Sequence, residues 1–288
     1  MKKILSVALF CALAIGAFAQ NLASETRNVS SFTGLDASSA FTIELKKGST
    51  QSVVIECEPQ YLPYVKTEVK NGILRLYFSS PTRLRRVNIK FNAYITVPDL
   101  HFLDLSGACT LTTSDLFTPA RFKADLSGAS KVNGLRIHTK DADFDVSGAS
   151  NLQMEVQCDR ASFDFSGASK STIKGVITQC SLEISGASKA NWNIQADQIT
   201  LEASGASNVT MEGEAKQARV SLSGATTLSA EKFILKEMRI SASGASKAGI
   251  YVTESLSPTL SSSSTLNYQG SPQIGDLKVS SGASISKR

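Results

Sequence analysis

Only two histidines, His101 and His138, and one tryptophan occur in the 288-residue chain, and aromatic side chains make up 7% of it. Neither histidine neighbours an acid and base cluster that the rest of the chain lacks, so both read as structural and no catalytic residue is expected. Trp192 stands in an apolar row and reads as core, which leaves few aromatic platforms for stacking sugars. Beyond residue 19 no apolar run approaches the roughly 18 residues that a spanning helix needs, so the mature chain is expected to be soluble or peripherally held. The Gly-Gly-x-Gly-x-Asp repeat of calcium-loaded β-rolls is absent. A marked excess of one charge is absent as well, the net charge being +5. The one basic cluster, Arg83, Arg85 and Arg86 after Pro81, comes without a nucleic-acid motif and reads as a solvated loop or strand edge. Neither a nucleic-acid partner nor a cofactor is expected.

Residues 1–19 have the layout of a secretory signal: Lys2 and Lys3, an apolar stretch from Ile4 to Ile15, and Ala17-Phe18-Ala19 as cleavage site. Phe10 occupies the place where lipid attachment at Cys11 would want a small residue, so cleavage before Gln20 is the expectation. The predicted location is outside the cytoplasm: periplasmic, outer-membrane-associated or extracellular. Without Lys2 and Lys3 the net charge falls to about +3. Cys57, Cys109, Cys158 and Cys180 remain, which in an exported protein raises the question of disulfides.

What is abundant is one tetrapeptide. Ser-Gly-Ala-Ser or a near copy begins at Ser106, Ser127, Ser147, Ser166, Ser185, Ser204, Ser223, Ser243, Ser261 and Ser281, at intervals of 18 to 21 residues. A fixed period in this range marks a chain winding into stacked coils. Immediately before each copy the residues alternate. One place upstream stand Leu105, Leu126, Val146, Phe165, Ile184, Ala203, Leu222, Ala242 and Leu260; two places upstream stand Asp104, Asp125, Asp145, Asp164, Glu183, Glu202, Ser221 and Ser241. That is a β-strand with one buried and one wet face. A second alternation follows the tetrapeptide, through Leu111, Val132, Leu152, Ala190, Val209, Leu228, Ala248 and Leu266. The rest of the period suffices for a third short strand and its corners, so the prediction is an all-β parallel β-helix of about 19–20 residues per coil and about three faces.

The tetrapeptide is predicted to be the corner. Its glycines, Gly107, Gly128, Gly148, Gly167, Gly186, Gly205, Gly224, Gly244 and Gly282, would take a left-handed backbone. Its alanines would fill a tight inner corner, and its serines would bond to turn amides or to the serine one coil above. On the same register Cys158 and Cys180 fall about three residues out of step, roughly 10 Å along the strand, so free buried thiols are predicted.

Residues 20–100 lack the repeat but alternate, and Asn71-Gly72 is a strong hairpin signal between Val65 and Phe78. Leu35-Asp36-Ala37 echoes Leu103-Asp104-Leu105. The expected organisation is a signal peptide over 1–19, an irregular β cap with opening coils over 20–100, and repetitive coils over 101–288, cap and coils forming one unit.

Phe32-Thr33-Gly34-Leu35-Asp36, the hairpin Val69-Lys70-Asn71-Gly72-Ile73-Leu74, the entry Ile95-Thr96-Val97-Pro98-Asp99-Leu100 and the Ser-Gly-Ala-Ser turns together resemble the exported bacterial family described as putative auto-transporter adhesins with a head GIN domain, known mostly from Gram-negative bacteria. The resemblance implies a right-handed β-helix in the cell envelope and brings no catalytic residues. No run of membrane-barrel strands of about 10 residues each is expected between the last tetrapeptide and Arg288.

Two outward rows are candidates for function. Lys131, Asn151, Lys170, Lys189, Asn208 and Lys247, with Thr110, Thr227 and Thr265, form a polar stripe suited to a surface glycan or an envelope protein. Asp125, Asp145 and Asp164 lie in the carboxylate row, which could bind Ca²⁺ or supply paired acids; a solvated mixed-charge face is the expected reading, and no metal site is predicted. A non-catalytic adhesin is the leading expectation. A polysaccharide lyase or glycosidase on a β-helix and a purely structural envelope protein are the alternatives.

Overall fold

Alternating segments that recur at one period bury their apolar rows when each copy lies directly on the last, and the computed structural model has this form. It describes residues 22–80, 89–280 and 282–288; the expected signal segment, Arg83, Arg85, Arg86 and Ser281 lie outside them. Strands make up 67% of the structure, wound into a parallel β-solenoid of about 10 turns. Among the described residues the one helical element is a single 3₁₀ turn, Leu62–Tyr64.

Between residues 151 and 260 each coil is one long strand: Asn151–Phe165, Lys170–Ile184, Lys189–Ala203, Asn208–Leu222, Thr227–Ala242 and Lys247–Leu260. The first coil shows the predicted separate pieces, Thr110–Thr112, Leu116–Phe117 and Arg121–Leu126. Later coils fuse them because pairing continues round the bends, but the alternation still marks a corner. Asp159 and Arg160 are both exposed between buried Cys158 and Ala161, and the pairing with the next coil skips Asp159. Strands on either side of this corner belong to two different faces.

The inward rows stack in register. Phe144 lies on Phe163 with ring centroids 4.7 Å apart and planes within 5°, and Trp192 meets Phe163 edge-on at 4.7 Å. Each such ring buried contributes on the order of 1.5–3 kcal/mol. Ser171 interrupts an otherwise apolar row, and Trp192 explains it: its indole Nε1 donates to Ser171 Oγ over 2.9 Å.

The N-terminal coils are not stacked in chain order. Gly34–Ala37 pairs with Phe102–Leu105 on one side and with Ile73–Phe78 on the other, so Leu35 and Asp36 sit directly on Leu103 and Asp104. Phe41–Lys47 likewise lies between Thr110–Thr112 and Phe91–Val97. The chain therefore starts one coil in and returns to build the end. Antiparallel strands then cover it: Ser52–Cys57 on Phe91–Val97, Ala23–Thr26 on Ser52–Cys57, and Val65–Lys70 on Ile73–Phe78. Antiparallel pairing terminates a parallel stack and protects its edge.

Candidate binding faces

The turn between coils sets where every outward side chain points. Gly186 has φ +69°, and a Cβ built on it would lie 2.4 Å from the Gly167 carbonyl oxygen of the preceding turn. Two requirements, a left-handed backbone and direct backbone contact between stacked turns, thus select the same residue. The ladder runs through the corner: the Ala187 amide donates to Gly167 O over 2.8 Å, and the same bond recurs at Ala168, Ala206 and Ala225.

The alanines do not fill an inner corner as expected. Ala129, Ala149, Ala168, Ala187 and Ala206 are exposed, and the fourth residue of each turn, Ser130 through Ser264, is the buried one. With glycine in the left-handed region, the chain reverses so that the fourth side chain faces the core. There the hydroxyl donates to a carbonyl, not to an amide: Ser130 Oγ to Ser127 O (2.8 Å), Ser207 Oγ to Ser204 O (2.7 Å) and Thr226 Oγ1 to Ser223 O (2.6 Å). Coil-to-coil serine bonding occurs at Ser169 Oγ to Ser188 Oγ, 3.0 Å. Cys109, in the equivalent place, has its Sγ 3.6 Å from Ala37 O.

Cys57, Cys109, Cys158 and Cys180 are free and buried. Cys158 pairs with Ile177 while Cys180 pairs with Ala161, the three-residue offset that the register predicts. Burial, reinforced by Asp159 and Asp141, pushes the Cys158 thiol up to about 12, and burial also raises Cys180.

On the first face Lys131, Asn151, Lys170, Lys189, Asn208, Thr227, Lys247 and Thr265 stack as one column in register. Beside it runs a column of uncharged residues, Gln153, Thr172, Asn191, Thr210, Ser229, Gly249 and Asn267, with the Glu231 carboxylate lying over Gly249. Charge returns one column further on, where Arg136 pairs with Glu155 and Lys232 with Glu212, each at 3.1 Å, and Lys174 stands between them without an ion pair among the described residues. Among the described residues, none of Lys131, Lys170, Lys189 and Lys247 lies within ion-pair distance of an acid. The column thus presents unpaired ammonium groups beside amides and hydroxyls on a flat surface.

The second face carries the carboxylates. Asp36, Asp104, Asp125, Asp145, Asp164, Glu183 and Glu202 form one continuous column. Burial, then the neighbouring Asp36 and Asp125, raises the Asp104 carboxyl above the usual range; burial leads at Asp125 and Asp164 too. Lys123 Nζ sits between Asp125 (3.2 Å) and Asp145 (3.4 Å), and Arg160 holds Asp141 at 2.6 Å. Lys123 thus bridges two members of the candidate metal row Asp125, Asp145 and Asp164, and among the described residues no group of three or more His, Cys, Asp or Glu is placed to hold a metal ion. The histidines lie in different coils: His101 Nε2 is 3.7 Å from Asp99, and His138 stacks on Gln157.

Sequence reasoning did not find where this face changes character. After Glu202 the column reads Ser221, Ser241 and Thr259, and Arg219 and Arg239 appear in the column beside it. Arginine at two successive places where the other coils carry Lys123, Asp143, Ser162, Ser181 and Thr200 was the available signal.

Residues 31–187 and 172–272 match the family described as "Putative auto-transporter adhesin, head GIN domain". No curated protein matches the sequence. Among the solved structures that share the fold are two with TM-scores above 0.5. One is of a putative adhesin from Parabacteroides distasonis ATCC 8503, 16% identical, with a TM-score of 0.55 over 94% of this chain and 98% of that one. The other is of a putative adhesin from Parabacteroides merdae ATCC 43184, 15% identical, with a TM-score of 0.53 over 93% and 96%. Among the described residues no helix is long and apolar enough to cross a membrane.

Proposed function

Since the chain belongs to the family described as "Putative auto-transporter adhesin, head GIN domain", we propose that it is an exported, non-catalytic adhesion module that binds polysaccharide over its first face. The observation that carries this reading is the in-register column Lys131, Asn151, Lys170, Lys189, Asn208 and Lys247 beside the uncharged column from Gln153 to Asn267. Repeated amides, hydroxyls and unpaired ammonium groups give many weak, equivalent hydrogen bonds, and a repetitive polymer engages them by multivalency. The coil-by-coil regularity of the carboxylates favours contact over a single reactive centre.

Binding to a broad glycan array and to envelope polysaccharides, compared between the wild type and K170E/K189E, tests it. The double charge reversal is expected to weaken binding without changing the melting temperature, because both side chains are exposed. Turnover of any polysaccharide in the panel, read by new reducing ends or unsaturated products, would replace this reading with that of an enzyme.

A further inference from the structure

The second face is electrically polar along the solenoid axis. On the coils near the cap Arg75 is matched with Asp36 at 3.1 Å, Arg121 with Asp141 at 3.7 Å, Lys123 with Asp125 and Asp145, and Arg160 with Asp141, whereas Lys66 and Lys70 on the covering strand have no acid within ion-pair distance among the described residues. Toward the C-terminal end the carboxylate column runs out at Glu202, and Arg219 stacks directly on Arg239. Both guanidinium groups are exposed, and among the described residues neither has an acid or any hydrogen-bond partner. Lys278, paired in register with Thr259, adds a third cation to the same end.

Two like charges one coil apart, about 4.8 Å, repel each other, and Arg75, Arg121 and Arg160 show that a carboxylate in a neighbouring coil suffices to match a cation of this face. At these two coils serine replaces it. The arginines also stand between two surface troughs, of about 360 and 410 Å³, both lined by Arg219, Arg239 and Ser257. Thr200, Gln198 and Gln217 line the first, Ser221, Ser241 and Thr259 the second. Of the two acids in these walls, Glu237 accepts from Gln217 Nε2 at 3.2 Å, and Asp276 stands at the far rim of the second trough beside Lys278.

We propose that this trough pair binds an acidic polysaccharide, the two guanidinium groups taking carboxylate or sulfate substituents on successive sugars and the surrounding hydroxyls and amides taking the sugar hydroxyls. Planar guanidinium forks suit both anions. The lining favours a glycan over a nucleic acid, because no aromatic side chain lines either trough to stack a base. The carboxylates from Asp104 to Glu202 repel the same polymer, so it is confined to the C-terminal third of this face. The site is separate from the lysine column, which lies beyond the Asp159 corner.

The experiment uses the purified protein with four probes of matched length at constant salt: polygalacturonate, dextran sulfate, neutral dextran and inorganic polyphosphate. The expected result is binding of at least one acidic glycan and no binding of dextran, with the stronger of the two identifying the substituent. R219Q/R239Q should weaken that binding roughly tenfold or more, the scale of losing charge-assisted contacts. R121Q/R160Q, on the same face but in the acidic half, should leave it unchanged. Equal binding by R219Q/R239Q and wild type, failure of the wild type to hold either acidic glycan, equal retention on polyphosphate, or an equal loss in R121Q/R160Q would each overturn the assignment.

Discussion

Replacing Gly186 by alanine should destabilise the solenoid at one interface only, and the structure gives both size and direction. The residue has φ +69°, where an alanine costs about 1–2 kcal/mol. Its new Cβ would sit 2.4 Å from Gly167 O, so the two turns must separate. Separation stretches the 2.8 Å bond from the Ala187 amide to that oxygen, a further loss of about 1 kcal/mol. The total is roughly 3 kcal/mol. Gly72 is the matched control: its φ is +73°, but a Cβ there meets nothing within 4 Å, so Gly72→Ala should cost only the backbone term of about 1–2 kcal/mol. Denaturant unfolding followed by circular dichroism measures the two costs. Hydrogen exchange adds the direction, because the clash points toward the cap: protection should fall at Ala187 and Lys189, which donate to Gly167 and Ser169, and persist at Ala206, which donates to Gly186. Equal costs at Gly72 and Gly186, or equal loss of protection on both sides of the mutated coil, would refute the close-contact argument.

Three further outcomes follow from the buried polar groups. Ser150 Oγ is buried without a hydrogen-bond partner whereas Ser207 Oγ bonds Ser204 O at 2.7 Å, so Ser207→Ala should cost about 1 kcal/mol and Ser150→Ala should be neutral or stabilising, as read from melting temperatures. The Asp104 carboxyl is raised by burial and by Asp36 and Asp125, so its protonated form is favoured in the fold and its stabilisation at low pH is lost as pH rises through the carboxylate range. Asp104→Asn should therefore raise the melting temperature at neutral pH and lose that advantage near about pH 3; a gain equal at both pH values would contradict this. Cys158 holds its proton to about 12 against 9.0 for an unperturbed thiol. Stability present below pH 9 should drain away as pH rises toward 12, and the thiol should resist alkylation at pH 8 until the protein is unfolded. Rapid native-state labelling is the contrary result.

Much of the architecture was legible because a solenoid lays the same sequence position on itself coil after coil. Reading down the rows found Leu126 over Val146, the lysine column, the carboxylate column and the offset between Cys158 and Cys180 without any coordinates. Three features escaped that reading. The outward alanines and inward serines of the turn depend on backbone handedness, and composition alone suggested the reverse for alanine. The order of the N-terminal coils depends on which strand edge Gly34–Ala37 and Phe41–Lys47 occupy, and alternation says nothing of neighbours. The isolation of Arg219 and Arg239 depends on the adjacent columns of neighbouring coils, so it becomes visible only when the rows are laid side by side.

The hydrogen bonds that cross the turns bear on mechanics. Between the coils 151–165 and 170–184, fourteen residue pairs are in register, and the amides of Ser185, Ala187 and Lys189 carry the bonding on across the next corner. These bonds point along the axis, so a pull applied squarely across two stacked coils is shared by them around the perimeter. An open sheet pulled the same way concentrates load at one margin and tears from there. A tether built of such coils stays rigid under steady pull and gives way one whole rung at a time.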